Sequence, residues 1–374
     1  MSDAIRAIVM PKWGLAMVEG VVTKWYIAEG TAIQPGLEIC DIETSKIANA
    51  MEATVSGVVL RRIAAEGSTL PVGALLAVVG DSGASSADIE AFVTKFEEEF
   101  ATAAKSASEA GPANEKIAVA DTQINYLQMG NEGPPLLFLH GFGGDLNSWM
   151  FNQPVLAERH RTYALDLPGH GASGKVVADG SVPALSNSVA AFMDALNLET
   201  AHVVGHSLGG AIALDLVARH PERILSLTLI STVGLGPEIN RDYIDGFVSA
   251  SGRKDLKPAL EKLFADPSLV SRDMINDVLK FKRLDGVDAA LRAISGAAFP
   301  NGRQALDLRR NLATLSAPAQ VIFGADDKVI PARHVEALPS NVTVHLIPGA
   351  GHMPHMEAAG EVNRLIEAQA SAAG

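Results

Sequence analysis

From about residue 117 onward, short apolar runs rich in β-branched residues alternate with segments whose apolar residues recur at helical spacing. The apolar runs are "PLLFLH", "RTYALDLP", "AHVVGHS", "LSLTLIS", "APAQVIFG" and "VTVHLIPG", and the opening "IAVADTQINYLQ" predicts an antiparallel hairpin. Such alternation predicts a mostly parallel sheet with helices on both faces. Helical segments alone interrupt the alternation between residues 236 and 305. We therefore expect an α/β domain over residues 117–371 with a helical cap at about 236–305.

Residues 4–79 show a different pattern, with short strands separated by glycines, and this pattern is repeated. The segment "GVVTKWYIAEGTAIQPG" starts at Gly20 and "GVVLRRIAAEGSTLPVG" starts at Gly57, so matching residues lie at a constant offset of 37. Each copy predicts a strand, a turn at "AEG" and a second strand. Lys46 falls between the copies, in "ICDIETSKIANAME", which predicts two strands joined by a tight turn. We expect a small all-β barrel or sandwich with Lys46 at a hairpin tip.

The intervening residues 80–116 have the composition of a flexible linker. "DSGASSAD" and "AKSASEAGPANEK" are rich in Ala, Ser and Gly and predict tethers. Between them, "IEAFVTKFEEEF" has one apolar face at helical spacing and predicts a short amphipathic helix. Two roles remain open for this helix: it binds a partner enzyme, or it packs on a neighbouring domain of the same chain.

Composition narrows the class of protein. The 374 residues include 48% hydrophobic and 20% charged residues, which is typical of globular domains, and no apolar run is long enough for a membrane span. The net charge of −13 argues against nonspecific binding to nucleic acid. Cys40 is the single cysteine, no secretory signal is visible, and no residue spacing suggests a metal site. We expect a cytoplasmic protein of two domains without a metal.

Three loops that follow predicted strands carry the residues of a nucleophilic site. "VVGHSLGG" contains a G-x-S-x-G motif around Ser207, whose hydroxyl needs an adjacent base. "LIPGAGHMPH" supplies His352 as that base, and "VIFGADDKVIP" supplies Asp326 and Asp327 as candidate acids that orient the imidazole. We expect His355, three residues after His352, to line the rim of the site.

The order Ser…Asp…His, together with this strand context, resembles the α/β-hydrolase superfamily over the second domain. The resemblance implies that the backbone N–H groups of Phe142, in "HGFGG", and Leu208 form the oxyanion hole. It also favours Asp327 as the acid, because the family's acid commonly lies three residues after a glycine, here Gly324. Asp326 remains the alternative.

The first domain resembles the lipoyl domains of 2-oxo-acid and acetoin dehydrogenase complexes, on the basis of "VMPKWGLAMVEGVV", the duplicated halves and the central lysine. The resemblance implies that Lys46 carries lipoate through an amide bond. One residue departs from the family pattern: Ser45 stands where Asp is usual. Biotin domains share the fold but flank their lysine with methionines, which Ser45 and Ile47 do not match.

The combination of domains resembles the acyltransferase components of acetoin dehydrogenase complexes. The resemblance implies that an acetyl group passes from lipoyl-Lys46 to coenzyme A, with a thiamin-diphosphate-dependent acetoin-cleaving enzyme and dihydrolipoamide dehydrogenase as partners. The H-x-x-x-D-G motif of related acyltransferases is missing, so Ser207, Asp327 and His352 are the visible machinery. Two alternatives remain open: an esterase or thioesterase that uses water, and a lipoyl carrier with a scaffolding hydrolase-like domain.

Overall fold

The structure is a computed structural model that describes residues 5–11, 17, 19–44, 48–106, 113–336 and 338–372. The chain divides into two units, residues 1–113 and 114–374. In the first unit the strands lie in two antiparallel sheets, with the orders β1-β8-β6-β3 and β5-β4-β2-β7. The strands are β1 (Ile5–Val9), β2 (Glu19–Trp25), β3 (Ala32–Ile33), β4 (Glu38–Glu43), β5 (Ala48–Glu52), β6 (Gly57–Arg62), β7 (Thr69–Pro71) and β8 (Leu75–Gly80).

The two sheets confirm the predicted all-β sandwich and its internal repeat, because each strand of one sheet occupies the place of its equivalent in the other. The repeated glutamates hold the halves together. Glu29 Oε1 accepts the backbone N–H of Arg62, and Glu66 Oε1 accepts that of Trp25, both at 2.8 Å. The repeated "AEG" turn is therefore a reciprocal connection between the two copies.

The glycine of each "AEG" turn is required by backbone geometry. Gly30 and Gly67 have φ values of 85° and 84°, in the left-handed region that strains other residues. Their N–H groups donate to the carbonyl oxygens of Val59 and Val22, each at 2.7 Å. The turns thus fasten the halves through the backbone as well as through the glutamates.

Lys46 lies outside the described residues, as do Ser45 and Ile47. The strands on either side are described: β4 and β5 pair antiparallel, and the last pair is Glu43 with Ala48. The predicted hairpin is therefore present up to the residues that flank the connection.

The helix predicted in the linker is longer than expected and belongs to the first unit. Helix α1 (Ser86–Ser106) includes residues 86–88 and 104–106, which the sequence assigned to tethers. Its Ile89 and Val93 pack with Leu75 and Val78 of β8 in one buried apolar cluster. Burial of this face stabilises turns that composition alone does not favour. Of the two open roles, packing on a neighbouring domain is what the structure has.

The second unit is built on an eight-stranded sheet of order β16-β15-β14-β13-β11-β12-β10-β9. Strands β11 to β16 are parallel to one another, and β9 and β10 form the predicted antiparallel hairpin at one edge. The strands are β9 (Glu115–Val119), β10 (Thr122–Met129), β11 (Pro135–Leu139), β12 (Arg161–Leu165), β13 (Ala201–His206), β14 (Ile224–Ile230), β15 (Ala319–Gly324) and β16 (Val342–Ile347). This confirms the predicted α/β class.

Helices connect the strands and cover the sheet. They are α2 (Gln153–Leu156), α3 (Val182–Ala195), α4 (Leu208–Arg219), α5 (Arg241–Ser249), α6 (Arg253–Leu260), α7 (Arg272–Lys282), α8 (Val287–Ala298), α9 (Arg309–Thr314), α10 (Pro354–Glu357) and α11 (Ala359–Ser371). Short 3-10 turns occur at 146–149, 221–223, 261–263, 267–269, 300–302 and 332–335. Helices α5 to α8 lie within residues 236–305, the segment predicted as a cap. Because β11 and β13 are adjacent and parallel, the loops after them meet at one sheet edge.

Candidate active site

Ser207 lies on a strained turn between β13 and α4. Its φ of 51° and ψ of −115° are unusual for a residue with a side chain. Glycines make the turn possible: a Cβ on Gly209 would lie 2.2 Å from the Leu139 carbonyl oxygen, and one on Gly205 would lie 2.5 Å from the Gly209 carbonyl oxygen. The strand–turn–helix context that gives a G-x-S-x-G motif its chemical meaning is therefore present.

Ser207, His352 and Asp327 come together from three loops at the carboxyl ends of β13, β16 and β15. The Nε2 of His352 lies 3.0 Å from Ser207 Oγ, and its Nδ1 lies 2.8 Å from Asp327 Oδ2. The side chains of His352 and Asp327 are only 2% and 0% exposed. The other Asp327 oxygen accepts the N–H groups of Val329 and Ile330 at 2.8 and 2.9 Å. The carboxylate is thus held in one orientation toward the imidazole.

Asp326, the alternative acid, is exposed, and its backbone N–H donates to the Ala350 carbonyl. The contact between Asp327 and His352 Nδ1 instead favours the tautomer whose Nε2 is free to accept the proton of Ser207. This arrangement can generate a serine nucleophile.

Phe142 and Leu208, the predicted oxyanion donors, lie on the two elements that flank Ser207. Phe142 follows β11, and a Cβ on the adjacent Gly141 would lie 3.0 Å from Ser207 Cβ. Leu208 is the first residue of α4, so its N–H has no acceptor within the helix. Backbone N–H groups at a helix N-terminus favour negative charge. The two loops can therefore stabilise an oxyanion formed at Ser207.

Two buried histidines accept backbone N–H groups in and near the "HGFGG" loop (residues 140–144), here called the oxyanion loop, and they do so in the neutral form. His140 Nε2 accepts the N–H of Leu167 at 3.0 Å, and His170 Nε2 accepts the N–H of Gly143 at 3.1 Å. Burial lowers the pKa of His140 to about 4 and that of His170 to about 3. Both imidazoles remain neutral at physiological pH, which their acceptor role requires.

Sequence reasoning missed the contact that His206 makes with the loop of His352. Its Nε2–H donates to the carbonyl oxygen of His352 at 2.9 Å, and burial holds its pKa well below the usual range. The rim position expected for His355 is wrong: this residue is 0% exposed and packs beside Trp149, with the ring centroids 4.7 Å apart and the rings tilted. The motif "GHS" offered no signal for the first contact, because it depends on how β16 and its loop pack.

Helix α5 contacts both the loop that carries Asp327 and the loop that carries Phe142. Its N-cap residue Asn240 donates its backbone N–H to the Val329 carbonyl and its Nδ2–H to the Lys328 carbonyl, both at 2.8 Å. Two turns later, Phe247 packs on Phe142, with ring centroids 5.7 Å apart. Helix α5 therefore packs against Phe142, one of the two predicted oxyanion donors.

The described ranges of the chain contain neither a helix that could span a membrane nor a cluster of metal ligands. No helix in them is long and apolar enough to cross a membrane. They also contain no group of three or more His, Cys, Asp or Glu residues that could hold a metal ion.

Both units match known protein families. A model described as "alpha/beta hydrolase fold" matches residues 134–359, and a biotin/lipoyl model described as "Biotin-requiring enzyme" matches residues 6–79. Among solved structures, the second unit is similar to a meta-cleavage product hydrolase from Pseudomonas fluorescens, with a TM-score of 0.63 and 24% identity. That match covers 70% of this chain and 98% of the other, and shows the fold alone.

Two curated relatives are similar over nearly the whole chain. The Pseudomonas putida protein named dihydrolipoyllysine-residue acetyltransferase component of acetoin cleaving system is 47% identical, over 96% of this chain and 97% of its own. The Cupriavidus necator protein of the same name is 45% identical, over 98% of both chains. The similarity therefore includes both units and the segment between them.

Proposed function

Because the chain belongs to the family of dihydrolipoyllysine-residue acetyltransferase components of acetoin cleaving systems, we propose that it passes an acetyl group from lipoate on Lys46 to coenzyme A through Ser207. The observation that carries this proposal is the continuous line of hydrogen bonds from Asp327 to His352 to Ser207. A strained serine with a buried base and acid is costly to maintain and serves nucleophilic chemistry. A scaffold would need none of these features.

The described residues of the first unit fit an arm attached at Lys46. Strands β4 and β5 stay paired to Glu43 and Ala48, so residues 44–47 alone connect them, and Glu43 is exposed to solvent. Lipoate attached there would supply a dithiolane that, once reduced and opened, would hold the acetyl group as a thioester on one of its two sulfurs. Presentation on an arm raises the effective concentration of the thioester without a permanent interface.

In the first half of the reaction, Ser207 Oγ attacks the thioester carbonyl carbon while His352 Nε2 removes the hydroxyl proton. Asp327 stabilises the imidazolium that forms. The N–H groups of Phe142 and Leu208 stabilise the oxyanion, an effect of about 3 kcal/mol per donor. The carbon–sulfur bond then breaks, and His352 returns the proton to the departing sulfur. Ser207 is left as an acetyl ester.

In the second half, the coenzyme A thiol gives its proton to His352 Nε2 and its sulfur attacks the ester carbonyl carbon. The carbon–oxygen bond to Ser207 breaks, and Oγ recovers the proton from His352. No oxidation or reduction occurs in either half. The same base and the same backbone donors therefore serve both acyl transfers.

Members of this family work in a multienzyme complex with other components. We propose that one partner is a thiamin-diphosphate-dependent acetoin-cleaving enzyme, which oxidises its substrate fragment to the acetyl level while the dithiolane is reduced. After transfer to coenzyme A the arm carries two thiols. A second partner, a flavin-dependent dihydrolipoamide dehydrogenase, must then remove two electrons and two protons to restore the ring.

Intact mass spectrometry of the lipoylated protein tests the relay. The acetoin-cleaving enzyme and acetoin are added without coenzyme A, and wild type, Lys46→Ala and Ser207→Ala are compared, with Lys24→Ala as a surface-lysine control. We expect acetyl on Ser207 in wild type and in the control, and in neither of the other variants. With coenzyme A present, full turnover by Ser207→Ala would show that the chain is a lipoyl carrier with a scaffolding domain. Formation of acetate by wild type, without acetyl-coenzyme A, would show a hydrolase.

A further inference from the structure

The loop that carries His352 is hydrogen-bonded to a short cap segment, residues 263–265, which follows α6. The backbone N–H of His352 donates to the Leu263 carbonyl at 2.9 Å. Glu357, at the end of α10, bridges the same two pieces of chain: its Oε1 accepts the N–H of Gly351 and its Oε2 accepts the N–H of Ala265, both at 2.8 Å. One carboxylate therefore ties the loop of the base to the cap.

The two segments approach closely along their backbones. A Cβ on Gly351 would lie 2.5 Å from the Ala265 nitrogen and 2.7 Å from the Phe264 carbonyl carbon, so a side chain there would separate them. Lys328, the residue after Asp327, donates its ammonium protons to the carbonyl oxygens of Phe264 and Ala265 at 3.2 and 3.0 Å. The cap segment thus holds the loop of the acid as well as that of the base.

We propose that Glu357 is a positioning residue that couples the cap to His352 and adds a second negative charge beside the imidazole. The inference rests on the proposed function, because it takes His352 as the base for Ser207. In this role, the two N–H bonds of Glu357 keep His352 Nε2 within reach of Ser207 Oγ. The carboxylate also favours the imidazolium that forms in each half of the transfer.

The charges around His352 are few enough for the effect of Glu357 to be separated. Burial raises the pKa of the Glu357 carboxyl, while the N–H bonds from Ala265 and Gly351 and the charge of His352 act in the opposite direction. Burial lowers the pKa of His206 and of His355 and raises that of Tyr243, so all three groups stay neutral. The groups that interact with His352 are Asp327, Glu357, His206 and His355. Asp326 is bonded through its backbone to Ala350 of the same loop, Lys328 donates to the cap segment, and Tyr243 lies near Asp327.

Glu357→Gln tests the proposal, because an amide can accept only one of the two N–H groups and carries no charge. Acetyl transfer from S-acetyldihydrolipoamide to coenzyme A is measured from about pH 5 to about pH 9. We expect kcat to fall about tenfold with KM within about twofold. We also expect the acid limb of the kcat profile to move to lower pH by roughly half a unit, because the protonated base loses a nearby negative charge.

Two further variants separate charge from position. Glu357→Asp keeps the charge but is too short for both bonds, so kcat should fall while the acid limb stays at the wild-type pH. Glu361→Gln removes an exposed carboxylate four residues away and should behave as wild type. If Glu357→Gln does not fold, a wild-type kcat in Glu357→Asp overturns the proposal.

A kcat within about twofold of wild type in Glu357→Gln, or an unchanged acid limb, overturns the proposal. Ser207→Ala, assayed in parallel, separates this failure from failure of the proposed function. If Ser207→Ala transfers acetyl at the wild-type rate, the serine mechanism itself is wrong. If Ser207→Ala is inactive while Glu357→Gln matches wild type, the role of Glu357 alone is wrong.

Discussion

Two adjacent carboxylates, Asp326 and Asp327, differ in exposure to solvent although they are neighbours in the same loop. Asp326 is exposed to solvent, whereas the side chain of Asp327 is fully buried and its oxygens contact Val329, Ile330 and the imidazole of His352. One residue of register after β15 decides which carboxylate turns inward. The turn after Gly324 therefore directs Asp327, and not Asp326, toward His352.

Substitution of each carboxylate by its amide should separate the two. Asp327→Asn would favour the wrong tautomer of His352, so we expect kcat for acetyl transfer to coenzyme A to fall by about 10³–10⁴ with little change in the folded structure. Asp326→Asn is the matched control and should retain kcat within about twofold. Steady-state assays with S-acetyldihydrolipoamide measure both. The reverse pattern would assign the acid to Asp326.

The residues that the sequence predicted at the site are those with a local signal. Ser207 and His352 each follow a strand in a glycine-containing loop, and Asp327 lies at a motif distance from Gly324. His206 and His355 carry no such signal, because their contacts depend on how distant segments pack. Neither the hydrogen bond of His206 to the His352 carbonyl nor the burial of His355 beside Trp149 can be inferred from neighbouring residues.

At the scale of elements, α1 shows where pattern and composition disagree. The apolar spacing of residues 89–100 predicted a helix, and alanine- and serine-rich composition predicted tethers around it. The helix extends over Ser86–Ser106 because its apolar face is buried against β8. Periodicity identified the element, but its length depends on a tertiary contact that composition does not encode. The first unit is therefore a two-sheet sandwich with an attached helix.

A charge placed on the buried face of α1 should detach it. Val93 is 8% exposed, so Val93→Asp buries an unpaired carboxylate, and we expect a cost of about 2–3 kcal/mol or release of the helix. Thr94→Asp, on the exposed side, is the control and should have little effect. Amide hydrogen exchange of peptides from residues 86–106 in the full chain measures the difference. Equal exchange in both variants would contradict packing of α1 on β8.

Across the whole molecule, titratable imidazoles are divided unevenly. All ten histidines of the chain lie after residue 113, so the first unit contains none. Burial lowers the pKa of His140 to about 4 and those of His170 and His355 to about 3. It also holds the pKa of His206 well below the usual value for histidine. The second unit alone therefore carries a strong link between histidine protonation and folding.

Acid should destabilise the second unit first. In the unfolded chain each of these histidines has a pKa of about 6.5. Below that pH it binds a proton when the chain is unfolded but not when it is folded. Stability from these groups is complete above about pH 6.5 and is lost as pH falls toward their folded values, at about 1.4 kcal/mol per pH unit for each. Calorimetry at about pH 7.5 and about pH 5.5 should show a larger decrease in the Tm of the second unit. Equal decreases in both units would contradict this.

The duplicated architecture of the first unit also relates the lysine connection to the point where the chain leaves the sandwich. The pairing of Glu43 with Ala48, next to the lysine connection, corresponds by the repeat to the pairing of Gly80 with Ile5. At that second place the chain enters the barrel and leaves it toward α1. The lysine connection and the strand end that continues toward α1 therefore occupy equivalent positions in the two halves. Because these two positions lie in different sheets, a group attached at Lys46 would be held away from the strand end that continues toward α1.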